Sequence, residues 1–315
     1  MQDKKISELT ELTSANPAND LLPVVDSSQT KTRKMNVSNF PLSDSAEKHA
    51  YPYTIDISNA GVVTTNNRTT IDNSMGFYNT GQPASIYIGN HVTTIGNSAL
   101  FGSSITNLHI PNSVTVIGSD SFYGNTNLES VTIGDSVVFI GSSAFSYCTS
   151  LTSVKIPNSV ATISARAFEL CSNLTSVTIG DGVTSIGDYA FSDIGLTSLT
   201  IPDNVITIGS MSFYLCDSLT SVTIGNGVTS IGSHAFYDCN ALETVTIGSS
   251  VASIAPNVFR GCENLATINC LAADAPTLST NVFQGISATT INVPTDSTGY
   301  GTDYGGLTVV EDPNL

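Results

Sequence analysis

A 23-residue phrase recurs along most of this chain and restricts its fold to a stack of similar units. The stretch LTSVKIPNSVATISARAFELCSNLTSVTI, from Leu151 to Ile179, holds one full unit and the start of the next. Its general form is L-x-x-V-x-I-(P/G)-(N/D)-x-V-x-x-I-(G/S)-x-x-A-F-x-x-C-x-x-L. The closing apolar residue falls at Ile88, Ile110, Ile133, Ile156, Ile179, Ile201, Ile224, Ile247, Cys270 and Val293, a step of 23 residues with two steps of 22. Self-similarity at such a period marks a stacked repeat, in which one unit cannot bury its apolar face and neighbours share a continuous core. The fold class is therefore a repeat solenoid.

Within a unit, Val154 and Ile156 alternate with Ser153 and Lys155, the period of a half-buried strand. Pro157 or Gly180 stops the strand and Asn or Asp follows at the turn. A second run, Val160 to Ile163, adds two more inward apolar residues. Ala-Phe, Cys and Leu then fill the interior from a turn or short helix. The two short units lose their residue after the Phe, in FGSSITNL from Phe101 and FSDIGLTSL from Phe191. Loops tolerate deletion and core positions do not, so a surface turn is expected there.

This phrase resembles the BspA-like class of leucine-rich repeat over about residues 84 to 294. The resemblance implies a curved right-handed solenoid with a parallel β-sheet on one face, mainly β with short turns or helices. It does not imply one function, because such repeats occur in bacterial surface adhesins, protist surface proteins and phage proteins.

The remaining sequence divides around the repeats. Residues 1–48 form a small β-rich N-terminal module, 49–83 a connector and degenerate capping repeat, 84–294 the solenoid and 295–315 a C-terminal cap and tail. The module contains a LLPVVD strand, a Ser-Ser-Gln-Thr turn and a second strand from Thr32 to Val37. Its apolar points Ile6, Leu9, Leu21, Leu22, Val24, Val25, Val37 and Phe40 are too few for a core of their own and are the candidate docking residues. The order K-I-S-x-L, then L-L-P-V-V-D-x-S-x-T-x-T-x-K-x-x-V-S-N-F, resembles the N-terminal segment of many tailed-phage fibres and appendages. That resemblance implies a virion-anchoring role for these residues and other virion proteins as partners.

Charge narrows the partners. Residues 1–48 carry six of the ten basic residues against seven acidic ones; the remainder carries four against nineteen, a net charge of −15. Nucleic acid and anionic membranes are excluded as partners of the repeats, since phosphate binding needs clustered Lys and Arg. Met1 to Ile6 lacks the apolar core of a signal peptide, and no stretch approaches the ~18 apolar residues of a membrane span. Membrane insertion is not expected.

Few residues suggest chemistry. Cys148, Cys171, Cys216, Cys239 and Cys262 share one unit position, with Ile194 as their substitute, and Cys270 holds a strand position. Interchange with Ile marks them as buried, reduced packing residues rather than zinc ligands or disulfides. Asp135, Asn158, Asp181, Asp203 and Asn226 form a turn ladder. Asp181 and Asp203 belong to neighbouring units and would fit the ~5 Å carboxyl separation of a retaining glycosidase, but Asn substitutes freely and turns favour both residues. His49, His91, His109 and His234 share no position, and no Ser has a hydrolase-elbow setting. No cofactor or metal is expected, and the chain is read as a non-enzyme.

Outward strand positions supply the candidate recognition face: Ser130 and Thr132, Ser153 and Lys155, Ser176 and Thr178, Ser198 and Thr200, Ser221 and Thr223, Thr244 and Thr246. Stacked at about 4.8 Å, they would form a flat hydroxyl-rich surface. Ser and Thr are also ordinary solvent-facing strand residues. Together these features point to a phage virion structural protein, a tail fibre or similar appendage that binds a host surface glycan or protein. A homo-oligomer is expected by the fibre analogy. The alternatives are a capsid fibre or decoration protein, a bacterial cell-surface adhesin and, less favoured, a glycan depolymerase.

Overall fold

The computed structural model describes residues 69–72 and 85–315, together with the backbone strands Leu21–Asp26, Lys31–Asn36 and Val62–Thr64. The first two strands form an antiparallel hairpin with Leu21 opposite Asn36 and Asp26 opposite Lys31. Beyond it lies a β-solenoid of about nine turns, roughly 23 residues each, without helices among the described residues.

Each coil crosses two sheets. The longer strands form one face, running from Val62–Thr64 through Ser130–Ile133, Ser153–Lys155 and Ser198–Ile201 to Leu307–Asp312. The run Val160 to Ile163 does more than add inward apolar residues. Its counterparts form a continuous ten-stranded parallel sheet of two-residue strands, from Thr70–Ile71 to Thr277–Leu278. A sheet on one face alone was implied by the resemblance; the second arises because Thr162–Ile163 pairs with its equivalents on both sides.

Pairing keeps like residue over like residue. Ser153 lies opposite Ser176 and Val154 opposite Val177, while Ser198 to Ile201 matches Ser221 to Ile224 one for one. One coil therefore buries Val154, Ile156, Val160, Ile163, Ala167, Phe168, Cys171 and Leu174 at the same levels as its neighbours. Phe122, Phe145, Phe168, Phe191, Phe213, Phe236, Phe259 and Phe283 make one ladder of nearly parallel rings, with centroids 5.0 to 5.9 Å apart. Such pairs add about 0.5–1.5 kcal/mol each beyond their burial.

Leu100, fully buried, continues this ladder at its N-terminal end. The sequence reading gave that level to Phe101, which instead stacks on Tyr123 outside the core at 4.7 Å. The lost residue of the short coils therefore lies between the Cys level and the following Leu level, at Ser104 and Gly195.

The Ala-Phe segment is a turn ladder rather than a helix. Arg166 and Leu170 both have φ near +60°, as do their equivalents Ser143 and Tyr147. Left-handed residues cost roughly 1–2 kcal/mol each and block an i→i−4 helix. Their N–H groups bond the next coil instead: Ser143 to the Ala165 carbonyl at 3.0 Å, Phe145 to Ala167 at 2.8 Å and Tyr147 to Glu169 at 2.9 Å. Close coil contact also explains Gly180 after Ile179. A Cβ there would stand 2.7 Å from the Ile156 and Pro157 carbonyl oxygens.

At the C-terminal end, Leu307–Asp312 pairs in parallel with Thr290–Pro294 and antiparallel with Asp303–Tyr304. Tyr300 and Tyr304 are buried against the last coils, their hydroxyls donating to the Ala272 and Pro276 carbonyls.

Ser121 and Ser212 occupy the level held by Ala in five other coils, and their buried hydroxyls lack a partner. Ser212→Ala should raise stability by about 1 kcal/mol by removing a desolvated hydroxyl, whereas Phe191→Ala should lower it by about 3–5 kcal/mol. Denaturant unfolding of both variants checks the pair of signs.

Candidate functional site

The outward residues of the strand face are in register from coil to coil. Ser130, Thr132, Ser153, Lys155, Ser176, Thr178, Ser198, Thr200, Ser221 and Thr223 are exposed, and Thr244 and Thr246 half-buried. They fall in two columns: Ser198, Ser221 and Thr244 in one, Thr200, Thr223 and Thr246 in the other. Lys155 stands beside Thr178, and His109 beside Thr132. Ser130 Oγ donates to Asn107 Oδ1 at 2.7 Å.

This face is not one sheet. Pairing is interrupted between Ser130–Ile133 and Ser153–Lys155, and again between Ser176–Thr178 and Ser198–Ile201. Val131 and Val177, beside the two interruptions, are half-buried, whereas Leu108, Val154, Leu199 and Val222 at the same level are buried. A depression of about 360 Å³ lies at the first interruption, bordered by His109, Thr132, Asp135 and Lys155. One of about 420 Å³ lies at the second, bordered by Thr178, Asp181, Ser198 and Thr200. Residue patterning gave no sign of either, because each strand reads like its neighbours.

The turn ladder of Asn and Asp serves the stack. Asn158 Oδ1 accepts from the Asp181 N–H at 3.1 Å, and Asp203 Oδ1 from the Asn226 N–H at 2.6 Å. Asn112 and Asn226 do the same for Asp135 and Ser249. An acceptor is all this geometry needs, which is why Asn and Asp interchange. Asp203 is therefore engaged in a role that opposes its use as a catalytic carboxylate beside Asp181.

The cysteines are all free and buried. Their Sγ atoms are more than packing: Cys148, Cys171, Cys216, Cys239 and Cys262 each donate to the Phe carbonyl of the preceding coil, at 3.0 to 3.4 Å. Asn125 fills the same level and donates to the Leu100 carbonyl at 2.8 Å. Ile194 offers no donor, so the level tolerates, without requiring, this bond. Among the described residues no group of His, Cys, Asp and Glu could hold a metal ion.

Burial pushes the Cys148 and Cys239 thiols well above their ordinary range and also raises Cys270, Tyr300 and Tyr304.

One Ser–His contact escaped the sequence reading. Ser233 Oγ lies 2.6 Å from His234 Nδ1, and Asn257 Nδ2 lies 3.1 Å from His234 Nε2. The Ser233 hydroxyl donates to the Pro256 carbonyl at 3.1 Å. The bonds to Pro256 and Asn257 tie this coil to the next, so the group is a clamp between coils.

Aromatic residues line the outside of the turns. Phe101 stacks on Tyr123, whose ring meets Tyr147 at a tilt of 48°, and Tyr214 stacks on Tyr237. Arg166 lies 4.3 Å over Tyr189 and pairs with Glu169 at 2.5 Å, and Arg260 lies 5.9 Å from the Tyr237 ring centre. These rings spend their faces on each other and on guanidiniums. They were invisible to the sequence reading because they occupy three different unit positions.

The eight candidate anchoring residues divide between described and undescribed parts of the chain. Leu21, Leu22, Val24 and Val25 fall in the first hairpin strand. Ile6, Leu9, Val37 and Phe40 lie outside the described residues.

The BspA type leucine rich repeat family matches residues 69–197 and 184–303, in six copies, and the chain belongs to it. Several solved leucine-rich repeat proteins are similar to it. The T. pallidum leucine rich repeat protein is 34% identical over 47% of this chain and 70% of its own length, with a TM-score of 0.45. A leucine-rich repeat protein from Bacteroides ovatus is 19% identical, covering 95% of this chain and 100% of that one, with a TM-score of 0.47. The pneumococcal vaccine antigen PcpA is 18% identical over 84% and 78%, with a TM-score of 0.49. No curated protein matches the chain.

The raised thiol and phenol values set a pH dependence. A group whose folded value is raised contributes stability that is complete below its unfolded value, about 8.5 for Cys and 10 for Tyr, and is lost as pH rises. The urea midpoint should therefore fall from about pH 8.5 upward, with all six thiols inert to maleimide at pH 7 until the chain unfolds. A midpoint that holds to pH 11 would contradict the buried-thiol assignment.

Proposed function

We propose that this chain is a non-enzymatic binding protein of a phage particle, a tail fibre or related appendage that presents its solenoid to a host surface. The observation that carries the binding part is the strand face: two in-register columns of exposed hydroxyl residues over several coils, with Lys155 as their one charged member. Repeated weak contacts along such a face sum through avidity when many copies share one particle. The phage part rests on the sequence resemblance of Lys4 to Phe40, joined to a repeat body of a different kind. In this reading the N-terminal hairpin region docks on other virion proteins, the chain is a homo-oligomer, and it works on the virion outside the cell.

A second reading is a bacterial cell-surface adhesin. Membership of the BspA type repeat family favours it. Both readings use the same strand face; they differ in what carries it. A depolymerase is disfavoured by the engagement of Asp203 with the Asn226 N–H and of the Ser233 hydroxyl with Pro256.

Electron microscopy of particles and cells from the source culture, labelled with antibody against residues 84–294, separates the two. Label on tails supports the fibre and label over capsids a capsid fibre or decoration protein; bare particles with labelled cells would replace both with the adhesin. For the face itself, Thr178→Arg with Thr223→Arg should abolish adsorption to the target surface and leave the unfolding midpoint unchanged. Unaltered adsorption would sink the face as the recognition surface.

A further inference from the structure

We propose that the depression between the strands Ser130–Ile133 and Ser153–Lys155 binds a carboxylate-bearing sugar residue within a polysaccharide. The proposal rests on the strand face being a glycan-binding surface and names the chemistry that one part of it selects.

The first argument is the state of the cation. Residues 85–315 hold three basic side chains, Lys155, Arg166 and Arg260. Arg166 is committed to Glu169 and Tyr189, and Arg260 stands near the Tyr237 ring on the turns, off the strand face. Lys155 is exposed on the strand face and borders the depression. On a face this poor in cations, among the described residues, an exposed ammonium beside a concavity is where an anionic group gains a charge-assisted hydrogen bond.

The second argument is the break in the sheet. An uninterrupted stack of 23-residue coils gives a flat face, and a flat face has no preferred position for a ligand. Interrupted pairing beside Ser130–Ile133 leaves Val131 half-buried and opens about 360 Å³, at the small end of the roughly 300–1,000 Å³ of ligand pockets. An apolar floor with polar walls suits a sugar ring, whose CH face is apolar and whose rim carries hydroxyls. Thr132 and Ser153 supply hydroxyl partners, and Asn112, whose Oδ1 is held by the Asp135 N–H, keeps its amide nitrogen as a donor.

Asp135 borders the same depression and fixes how much negative charge the ligand can carry. Its carboxylate accepts from sugar hydroxyls but repels a second anionic group, and the net charge of the body repels densely charged polymers. The second depression has no basic residue among those bordering it and carries Ser198, Thr178 and Thr200. The fitting ligand therefore has isolated carboxylates between neutral sugars: a uronic-acid polysaccharide rather than a sulfated one. A protein partner is disfavoured because the strands from Ser130–Ile133 to Thr244–Ile247 carry none of the large exposed apolar or aromatic anchors that dominate protein interfaces.

The test uses the full chain and a panel of oligosaccharides that alternate a uronic acid with a neutral N-acetylhexosamine, each beside its carboxyl-reduced form, with affinity read by calorimetry. The native protein should prefer an acidic oligosaccharide over its reduced form by about tenfold or more. Lys155→Met should remove that preference, Lys155→Arg should retain it, and both should unfold like the native protein, since the side chain is exposed. No binding across the panel, or a preference that survives Lys155→Met, overturns the proposal. Adsorption of Lys155→Met and of the Thr178→Arg, Thr223→Arg pair to the target surface keeps the two levels apart. If only the pair loses adsorption, the face binds and this subsite is wrong. If neither does, the face reading itself has failed.

Discussion

Every coil of this solenoid places its hydrogen-bonding groups and its largest side chains directly against the same groups of the next coil. That in-register contact is the constraint from which the rest follows. A Phe ring buried at one level demands a flat ring above and below it, and eight of them supply each other over the length of the body. The Asn or Asp at the strand end accepts the N–H of its equivalent one coil on. The thiol at the Cys level bonds the preceding coil's Phe carbonyl. A residue is thus chosen less for its own coil than for its two neighbours, and stability becomes a sum of interfaces.

The same register makes charge expensive. A charged residue repeated in a column would stand over its like at strand spacing, about 4.8 Å, where like charges destabilise. The two outward columns of the strand face accordingly carry hydroxyls, with Lys155 as the lone charge. The acids collect at turns, where water screens them. There Asp alternates with Asn, which accepts the same hydrogen bond without charge. Asp217 and Glu263 still raise the Asp238 carboxyl, after the larger effect of its partial burial. A net charge of −16 is carried by a molecule whose two outward strand columns are almost neutral.

Periodicity was enough to read the repeat, the inward strand residues, the buried cysteines and the absence of a shared histidine position. What it could not supply has a common physical cause: the outcome depends on atoms that the pattern leaves equivalent. The strands Thr162–Ile163 and Ser185–Ile186 are two residues long, too short for an alternation signal, yet register stacks them into the longest sheet. Leu100 and Phe101 are both apolar, so only packing decides which enters the core. Interchange of Cys with Ile signalled burial and hid the thiol hydrogen bond, which Asn125 in the same level shows to be polar in origin. The Ser233, His234 and Asn257 clamp joins two coils at positions with no common residue type.

In a stack of this kind, departures from the repeat carry the information. A residue that matches its column is already accounted for by the coils on either side. Lys155 interrupts a hydroxyl column, and nothing in the packing asks for it: Thr178 takes the equivalent place in the next coil and is equally exposed. Phe139 and Val138, exposed at 43% and 52% where Thr162 and Ala161 follow, are departures of the same sort on the other sheet. The two differ in context. The aromatic departure lies on a ten-stranded sheet whose pairing runs unbroken through it. The cationic one borders a break in strand pairing and the depression that lies there. Coincidence of a chemical and a geometric departure at one place is what distinguishes a binding position from sequence drift on an exposed face.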